Sequence, residues 1–429
     1  MSKKHRTWIF AAAAWLLTTV AGAQTAWPDY ISRLQPAVSE SPVAAVLPEG
    51  GTMVPPDPTL PAARKRWHGL WQGWACGGMQ CDVRIAVEQV TSERATVAYA
   101  GANALQGLLT DRAEGLFKDE ELAVRLRTGS RLVLRLRADG DMEMSLWKPD
   151  TQLVSAGVLT QKPLASTYTR TIERVPTPWS DNGKAQTLEM VVFRPQGIGP
   201  FPTLIFHHGS TGRGNRPEWF KLTWTSPEIA RYFTARGWQV LFPQRRGRGQ
   251  SDGLYDEGFE ADRSAGYSCQ PRRALAGFDR AVEDLDVVMP QVLARPDVDS
   301  RHLMIGGVSR GGILAVGYAG MHPEMFTGVI NFVGGWVGDA CPKANEVNPL
   351  LMRRGAAFKQ PMLWLYGDHD PFYALRHSRA NFDSFTAAGG RGEFLSFDPP
   401  PGRDGHALHT EPSLWQPVVE RYLAGMDRY

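Results

Sequence analysis

Leu303-Met304-Ile305-Gly306-Gly307-Val308-Ser309-Arg310-Gly311-Gly312 is the stretch from which the fold can be read. Its apolar start is of strand type and runs into Gly307-Val308-Ser309-Arg310-Gly311. A segment rich in small residues, from Ile313 to Met321, follows and suits a helix. Strand, G-x-S-x-G, helix is the setting of a nucleophile elbow, in which a strained turn lifts a serine hydroxyl clear of the sheet. Gly307 and Gly311 have no Cβ, so strand and helix can approach closely around that turn. The pentapeptide alone also fits a glycine-rich loop that packs a helix on a sheet. The residues downstream separate the two.

A serine hydroxyl is a poor nucleophile until a base takes its proton. The base needs an orienting acid, and the reaction needs donors for an oxyanion. After the apolar run Leu363–Tyr366, the chain reads Gly367-Asp368-His369-Asp370. Asp370 is the expected acid; Asp368 is the competitor and suits a turn. The base is expected in the loop Pro401–His409, at His406, with His409 as its competitor and Asp404 shaping the loop. The strand-like run Thr203–Phe206 leads into His207-His208-Gly209-Ser210-Thr211-Gly212. Backbone N–H groups of Ser210 and Arg310 are the expected oxyanion donors. His207 and His208 suit a structural role at a strand end better than a metal pair. Asp368, His369 and Asp370 lack a further ligand cluster, so neither a metal nor an organic cofactor is expected. The loop from Arg246 to Gly253 is glycine-rich but lacks the Gly-Lys-Ser/Thr ending of a phosphate loop. Its arginines suit a structural role that shapes the site, with Arg246 also a candidate contact for an anionic substrate group. Trp336, beyond Gly334-Gly335, is a candidate pocket wall.

Around this stretch, residues 166–429 alternate strand-like and helix-like segments, which implies a mostly parallel sheet covered on both faces. In such sheets the working residues lie in loops at the strand C-termini. Strands are expected at Leu188–Phe193, Thr203–Phe206, Gln239–Phe242, Leu303–Ile305, Gly328–Phe332, Met362–Tyr366 and Glu393–Phe397. Helices are expected near Pro227–Arg236, Ala274–Ala294, Ile313–Met321, Ala374–Ala388 and Leu414–Ala424, with Pro290 kinking or shortening the second. Residues 66–165 instead show short period-two runs, such as Val83, Ile85, Val87 and Leu132, Leu134, Leu136, with Asp139-Gly140 as a hairpin signal. They predict a small antiparallel barrel or sandwich, with Trp67, Trp71 and Trp74 in core packing. Residues 24–65, rich in Pro, Ala and Ser, read as an arm or linker.

The first 23 residues carry Lys3, Lys4 and Arg6, an apolar run from Trp8 to Val20, and Ala21-Gly22-Ala23. That is the pattern of a cleavable signal peptide cut after Ala23, which implies a periplasmic or secreted protein without a stable membrane span. Its loss takes the formal charge from +3 to 0, so no basic patch argues for nucleic acid. Four cysteines, Cys76, Cys81, Cys269 and Cys341, fit two disulfides in an exported chain. Sequence proximity favours Cys76–Cys81, leaving Cys269–Cys341.

Residues from about 170 to 425 resemble the α/β-hydrolase fold, and most of all exported, serine-dependent proteins like the dienelactone hydrolases. The likeness is carried by His208-Gly209-Ser210, Arg246-Gly247-Arg248-Gly249-Gln250-Ser251, Gly307-Val308-Ser309-Arg310-Gly311-Gly312, Trp364-Leu365-Tyr366-Gly367-Asp368-His369-Asp370 and Asp404-Gly405-His406. Dienelactone hydrolases proper use a cysteine where this chain has Ser309. The resemblance implies a serine hydrolase acting on a small or oligomeric ester. A peptidase similar to prolyl oligopeptidase is the second reading, and a non-catalytic binding protein on the same scaffold the third. The likeness does not extend over residues 24–165.

Overall fold

A computed structural model describes residues 45–75, 81–103, 107–137, 140–149, 153–161, 168–399 and 404–426. The signal-like segment 1–23, Cys76 and Asp139 lie outside the described residues. The helix α1 (Ala62–Lys65) leads into eight antiparallel strands: β1 (Gly69–Ala75), β2 (Cys81–Val90), β3 (Arg94–Asn103), β4 (Gly107–Lys118), β5 (Glu121–Arg125), β6 (Arg131–Leu136), β7 (Met142–Trp147) and β8 (Leu153–Thr160). Each pairs with the next, and β1 pairs with β8, closing a barrel rather than a sandwich. The period-two residues point inward. Val83, Ile85, Leu122, Val124, Leu132, Leu134, Met142 and Met144 fill the interior together with Trp67 and Trp71. Eight strands enclose a space just wide enough for side chains, so this barrel is a packed body. The Trp71 indole N–H donates to the Trp67 carbonyl at 3.0 Å, which satisfies its one polar atom inside the core. Part of the expected arm is docked on the barrel: Arg112 donates to the Pro48 and Glu49 carbonyls, and the Val54 amide to the Glu88 carbonyl.

The second sheet contains β9 (Tyr168–Asp181), β10 (Lys184–Pro195), β11 (Phe201–His207), β12 (Gln239–Pro243), β13 (Val298–Val308), β14 (Gly328–Phe332), β15 (Met362–Gly367) and β16 (Gly392–Phe397). Its order is β16-β15-β14-β13-β11-β12-β10-β9. Strands β11 to β16 run parallel, and β10 is antiparallel to both β12 and β9. Helices α2 (Pro227–Thr234), α3 (Pro271–Leu293), α4 (Arg310–Met321), α5 (Ala344–Arg353), α6 (Leu375–Ala387) and α7 (Pro412–Met426) connect and cover it. Strands β11 to β15 are apolar on both faces, as a sheet covered on both sides requires. Among the described residues no helix is long and apolar enough to cross a membrane.

Two elements escape the sequence pattern. In β9 only Tyr168 and Val175 are buried, the positions between carry Thr, Arg and Glu with one exposed Ile172, and Pro176 and Pro178 follow, so the edge strand has almost no apolar period. Helix α5 buries Ala344, Val347, Asn348, Leu351 and Met352 at helical spacing, but Pro349 and two asparagines disguise it. Helix α3 continues to Leu293 past Pro290. So near its end, the missing amide removes one hydrogen bond and the helix carries on.

Cys269 and Cys341 form a disulfide with Cα atoms 5.4 Å apart. It ties the segment before α3 to the segment between β14 and α5, both at the C-terminal edge of the sheet. The bridge closes 72 residues. In the chain-entropy treatment such a closure stabilises the fold by about 4 kcal/mol. Urea unfolding of a Cys269→Ser/Cys341→Ser double variant is expected to show a loss of that order. A midpoint unchanged from the parent protein would contradict it.

Candidate active site

Ser309 sits between β13 and α4 with φ 56° and ψ −122°, a conformation that a serine adopts only when its surroundings enforce it. The glycines supply the enforcement. A Cβ on Gly311 would run into the His207 and His208 carbonyls, and one on Gly307 into the Gly311 backbone. The loop after β11 therefore lies directly on the elbow; a Cβ on Gly209 would be 3.0 Å from the Ser309 Cβ. Arg310 N–H is the first amide of α4 and has no acceptor within its own helix.

On the other side, the loops after β15 and β16 meet through Gly367 and Gly405, whose backbones are in contact too close for any side chain. That contact brings Asp370 and His406 together. Asp370 Oδ2 accepts from His406 Nδ1 at 2.8 Å, which places the ring proton on Nδ1. Its Oδ1 accepts from the amides of Phe372 and Tyr373 at 2.8 and 3.1 Å, so both carboxylate oxygens are held. His406 stands near the start of a 3-10 turn, Gly405–Thr410, which Asp404 caps through the amides of His406 and Ala407. Phe372 and Tyr373 flank the imidazole. Burial raises the Tyr373 phenol well above its ordinary pKa, an effect opposed by the Arg310 guanidinium and the Ser309 hydroxyl. Ser309 after β13, Asp370 after β15 and His406 after β16 thus all lie at the C-terminal edge of the sheet, with β14 between the first two strands, and are each more than nine-tenths buried.

The two competitors go elsewhere. Asp368 accepts from the His369 amide within its own turn. His409 points into the core between Trp224 and Phe332, and burial lowers its pKa to about 3. His207 is likewise buried in the strand, with its pKa lowered to about 3 by burial and by the Arg245 guanidinium.

His208 has a definite task. Its Nε2 accepts from the Arg245 amide at 3.3 Å, so its proton sits on Nδ1, 2.8 Å from the Gly209 carbonyl. Burial, then Arg245, hold this imidazole well below its ordinary pKa, so it stays neutral. The peptide bond is planar and trans, so a carbonyl held on one side turns the following N–H to the other. Fixing the Gly209 carbonyl therefore fixes the direction of the Ser210 N–H. The next amide, Thr211, is taken by the Tyr267 hydroxyl at 2.9 Å.

Behind both candidate donors lies a buried charge cluster. Arg245 donates to the His208 carbonyl through both terminal nitrogens at 3.1 Å and pairs with Glu257 at 2.5 Å. The other Glu257 oxygen faces Arg310 at 3.4 Å, and Arg310 also donates to the carbonyls of Glu257 and Trp336. One carboxylate thus joins the loop after β11 to the start of α4. Arg245, Glu257 and Tyr373 have no recognisable local signal in the sequence. Only the adjacency of Arg245 to the Gly-rich loop could have drawn attention to it.

Two expected pocket residues have other roles. The Arg246 guanidinium is taken up by Glu283 and Asp284 on α3 and lies over the Trp179 ring at 4.0 Å. Arg246 therefore has a structural role, and its guanidinium is not available as a substrate contact. Trp336 is 1 % exposed and is packed between Arg310 and Phe278, so it is a backing residue of the cluster rather than a pocket wall.

A sequence profile described as serine aminopeptidase, S33, matches residues 223–353, under a third of the chain, and spans the elbow. Together with the strand order, this decides the fold. The C-terminal part of this chain has the α/β-hydrolase fold. Solved structures similar to the chain include a putative dienelactone hydrolase from Klebsiella pneumoniae (18 % identity, 61 % of this chain, 100 % of that one, TM-score 0.38). An esterase from Pyrococcus furiosus is similar at 14 % identity over 61 % of this chain and 91 % of that one, TM-score 0.42. A putative dipeptidyl aminopeptidase IV from Bacteroides ovatus matches at 14 % over 78 % of this chain and 47 % of that one, also at 0.42. No curated protein matches the chain at a significant level.

The buried histidines make the hydrolase fold sensitive to acid. Unfolded, His207 and His409 take up protons near pH 6.5; folded, only near 3. Between those values the unfolded chain binds more protons, so stability is lost as the pH falls through that window. From pH 7 to 5 each imidazole removes about 2 kcal/mol. Urea unfolding of His409→Phe at both pH values is expected to show a smaller acid loss than the parent protein. An equal loss would place the effect elsewhere.

Proposed function

We propose that the chain is an exported serine hydrolase that cleaves carboxylic esters through an acyl-enzyme on Ser309. The observation that carries this reading is the 2.8 Å bond from His406 Nδ1 to Asp370 beside an elbow that forces Ser309 to positive φ. With Nδ1 bound to the acid, Nε2 is the nitrogen that takes the Ser309 proton as the hydroxyl attacks the acyl carbon. Asp370 stabilises the imidazolium formed. The carbonyl oxygen gains negative charge and is met by the N–H groups of Ser210 and Arg310, which are fixed before the reaction and so need no reorganisation. His406 then returns the proton to the leaving alcohol. Water, activated by the same imidazole, attacks the acyl carbon and releases the acid and Ser309.

The S33 profile favours a second reading, in which the bond cleaved is the amide of a peptide's N-terminal residue. Nucleophile, base and acid are the same; only the leaving group differs. The Cys269–Cys341 bridge supports placement in an oxidising compartment, in accord with the signal-like segment and a cut after Ala23.

Ser309→Ala, Asp370→Asn and His406→Ala are each expected to lower kcat at least about a thousandfold while leaving the unfolding midpoint near that of the parent. His409→Phe should leave the base in place. Hydrolysis of p-nitrophenyl esters against aminoacyl p-nitroanilides separates the two readings, and a fluorophosphonate probe reports the nucleophile. Labelling of the parent that persists in Ser309→Ala would refute the assignment, and a parent that neither labels nor turns over would favour a binding protein.

A further inference from the structure

Among the described residues the barrel carries no catalytic constellation of its own, and its interior is filled, yet one of its hairpins reaches the loop that holds His406. Strand β6 ends at Leu136, and at Arg137 the hairpin closes tightly: the Arg137 amide donates to the Asp141 carbonyl at 2.8 Å and the Gly140 amide returns to the Arg137 carbonyl at 3.2 Å. The backbone of Arg137 is therefore fixed by the barrel. Its guanidinium leaves the barrel, donates to the Thr410 carbonyl at 2.8 Å and lies 3.9 Å from the Glu411 carboxylate. Both side chains are more than nine-tenths buried. Four residues on, Asp141 pairs with Arg231 on α2 at 3.3 Å, a second anchor for the same hairpin.

Thr410 is the last residue of the six-residue 3-10 turn that presents His406. A short 3-10 turn has poor hydrogen-bond geometry and leaves carbonyls unsatisfied at its C-terminus. The N-terminal end is capped from within the hydrolase fold by Asp404. The C-terminal end receives a charged donor, the stronger kind of hydrogen bond, from the barrel. Within the turn, the Thr410 hydroxyl donates to the Ala407 carbonyl at 2.8 Å, so a displacement of Thr410 is passed to the residue next to His406.

We propose that Arg137 is a positioning residue for His406, and that the barrel acts in catalysis by clamping the C-terminal end of the turn that bears the base. This rests on His406 as general base. A base shifted by about an ångström lowers the rate as much as about a hundredfold while substrate binding is little changed. Arg137→Met keeps bulk but removes the donor. Arg137→Lys keeps a donor of nearly the same reach. Arg231→Gln breaks the other anchor of the hairpin without touching the turn.

The test measures p-nitrophenyl acetate hydrolysis, and amide hydrogen exchange of the 404–411 segment by mass spectrometry, in the full chain. Arg137→Met is expected to lower kcat about 10- to 100-fold with KM within about threefold, and to speed exchange in 404–411. Arg137→Lys should recover most of both, and Arg231→Gln should stay within about threefold of the parent on both. Exchange and kcat unchanged in Arg137→Met would overturn the proposal. So would an equal loss in Arg231→Gln, which would mean that docking of the barrel alone matters. The exchange readout does not need the assigned chemistry. Faster exchange in Arg137→Met, with Ser309→Ala as active as the parent, would sink the catalytic assignment and leave the clamp standing.

Discussion

The sharp reversal of the chain at Ser309 is the constraint that the rest of the hydrolase fold serves. A serine at φ 56° persists only where its neighbours leave no alternative. Here the neighbours are main chain. Gly307, Gly311 and Gly209 bring β13, α4 and the loop after β11 within backbone contact. Any Cβ at Gly307 or Gly311 would push these apart and relax the turn. Because β13 is the central strand of the sheet, flanked by β11 and β14, the elbow is fixed from both sides by parallel pairing.

Electrostatics then hold what the glycines bring together. Glu257 lies between Arg245 and Arg310 in a region without solvent, and both guanidinium groups also satisfy backbone carbonyls. Taking such charges out of water is costly, and a buried pair is by itself weak evidence of stability. What it supplies here is geometry. Arg245 grips the His208 carbonyl, His208 grips the Gly209 carbonyl, and Arg310 is held to Glu257 at the start of α4. The directions of two N–H groups in different segments thereby depend on one carboxylate.

Much of this is legible in the sequence. Six strands, β10 to β15, show as apolar runs because they are buried on both faces, while the edge strand β16 shows only a short run around Phe394. The elbow, Asp370 and His406 follow from the glycines that precede or surround them. What separates His406 from His409 in the sequence is the Gly405 before it, and Gly405 is glycine because its backbone passes against Gly367. What could not be read lies in contacts without local pattern. Glu257 belongs to an irregular connection, Tyr373 looks like any loop aromatic, and Arg137 closes an ordinary hairpin on another part of the chain. Whether Arg246 and Trp336 face a pocket is not legible in the sequence, because position in a site-forming loop says nothing of which way a side chain turns. Here Arg246 turns to the carboxylates of α3, and Trp336 turns inward over Arg310.

The edge strand β9 has a consequence for how the protein behaves in company. A sheet edge presents a row of unpaired amides and carbonyls to which a second strand can add. Along β9 the residues that are not buried include Arg170, Glu173 and Arg174, and Pro176 and Pro178 have no N–H to offer. A strand approaching this side would meet fixed charge over one half and a gap in the donor row over the other. The barrel needs no such guard, since its first and last strands pair with each other. The feature that hid β9 from the apolar pattern is therefore also what keeps this border of the sheet from recruiting another chain at high concentration.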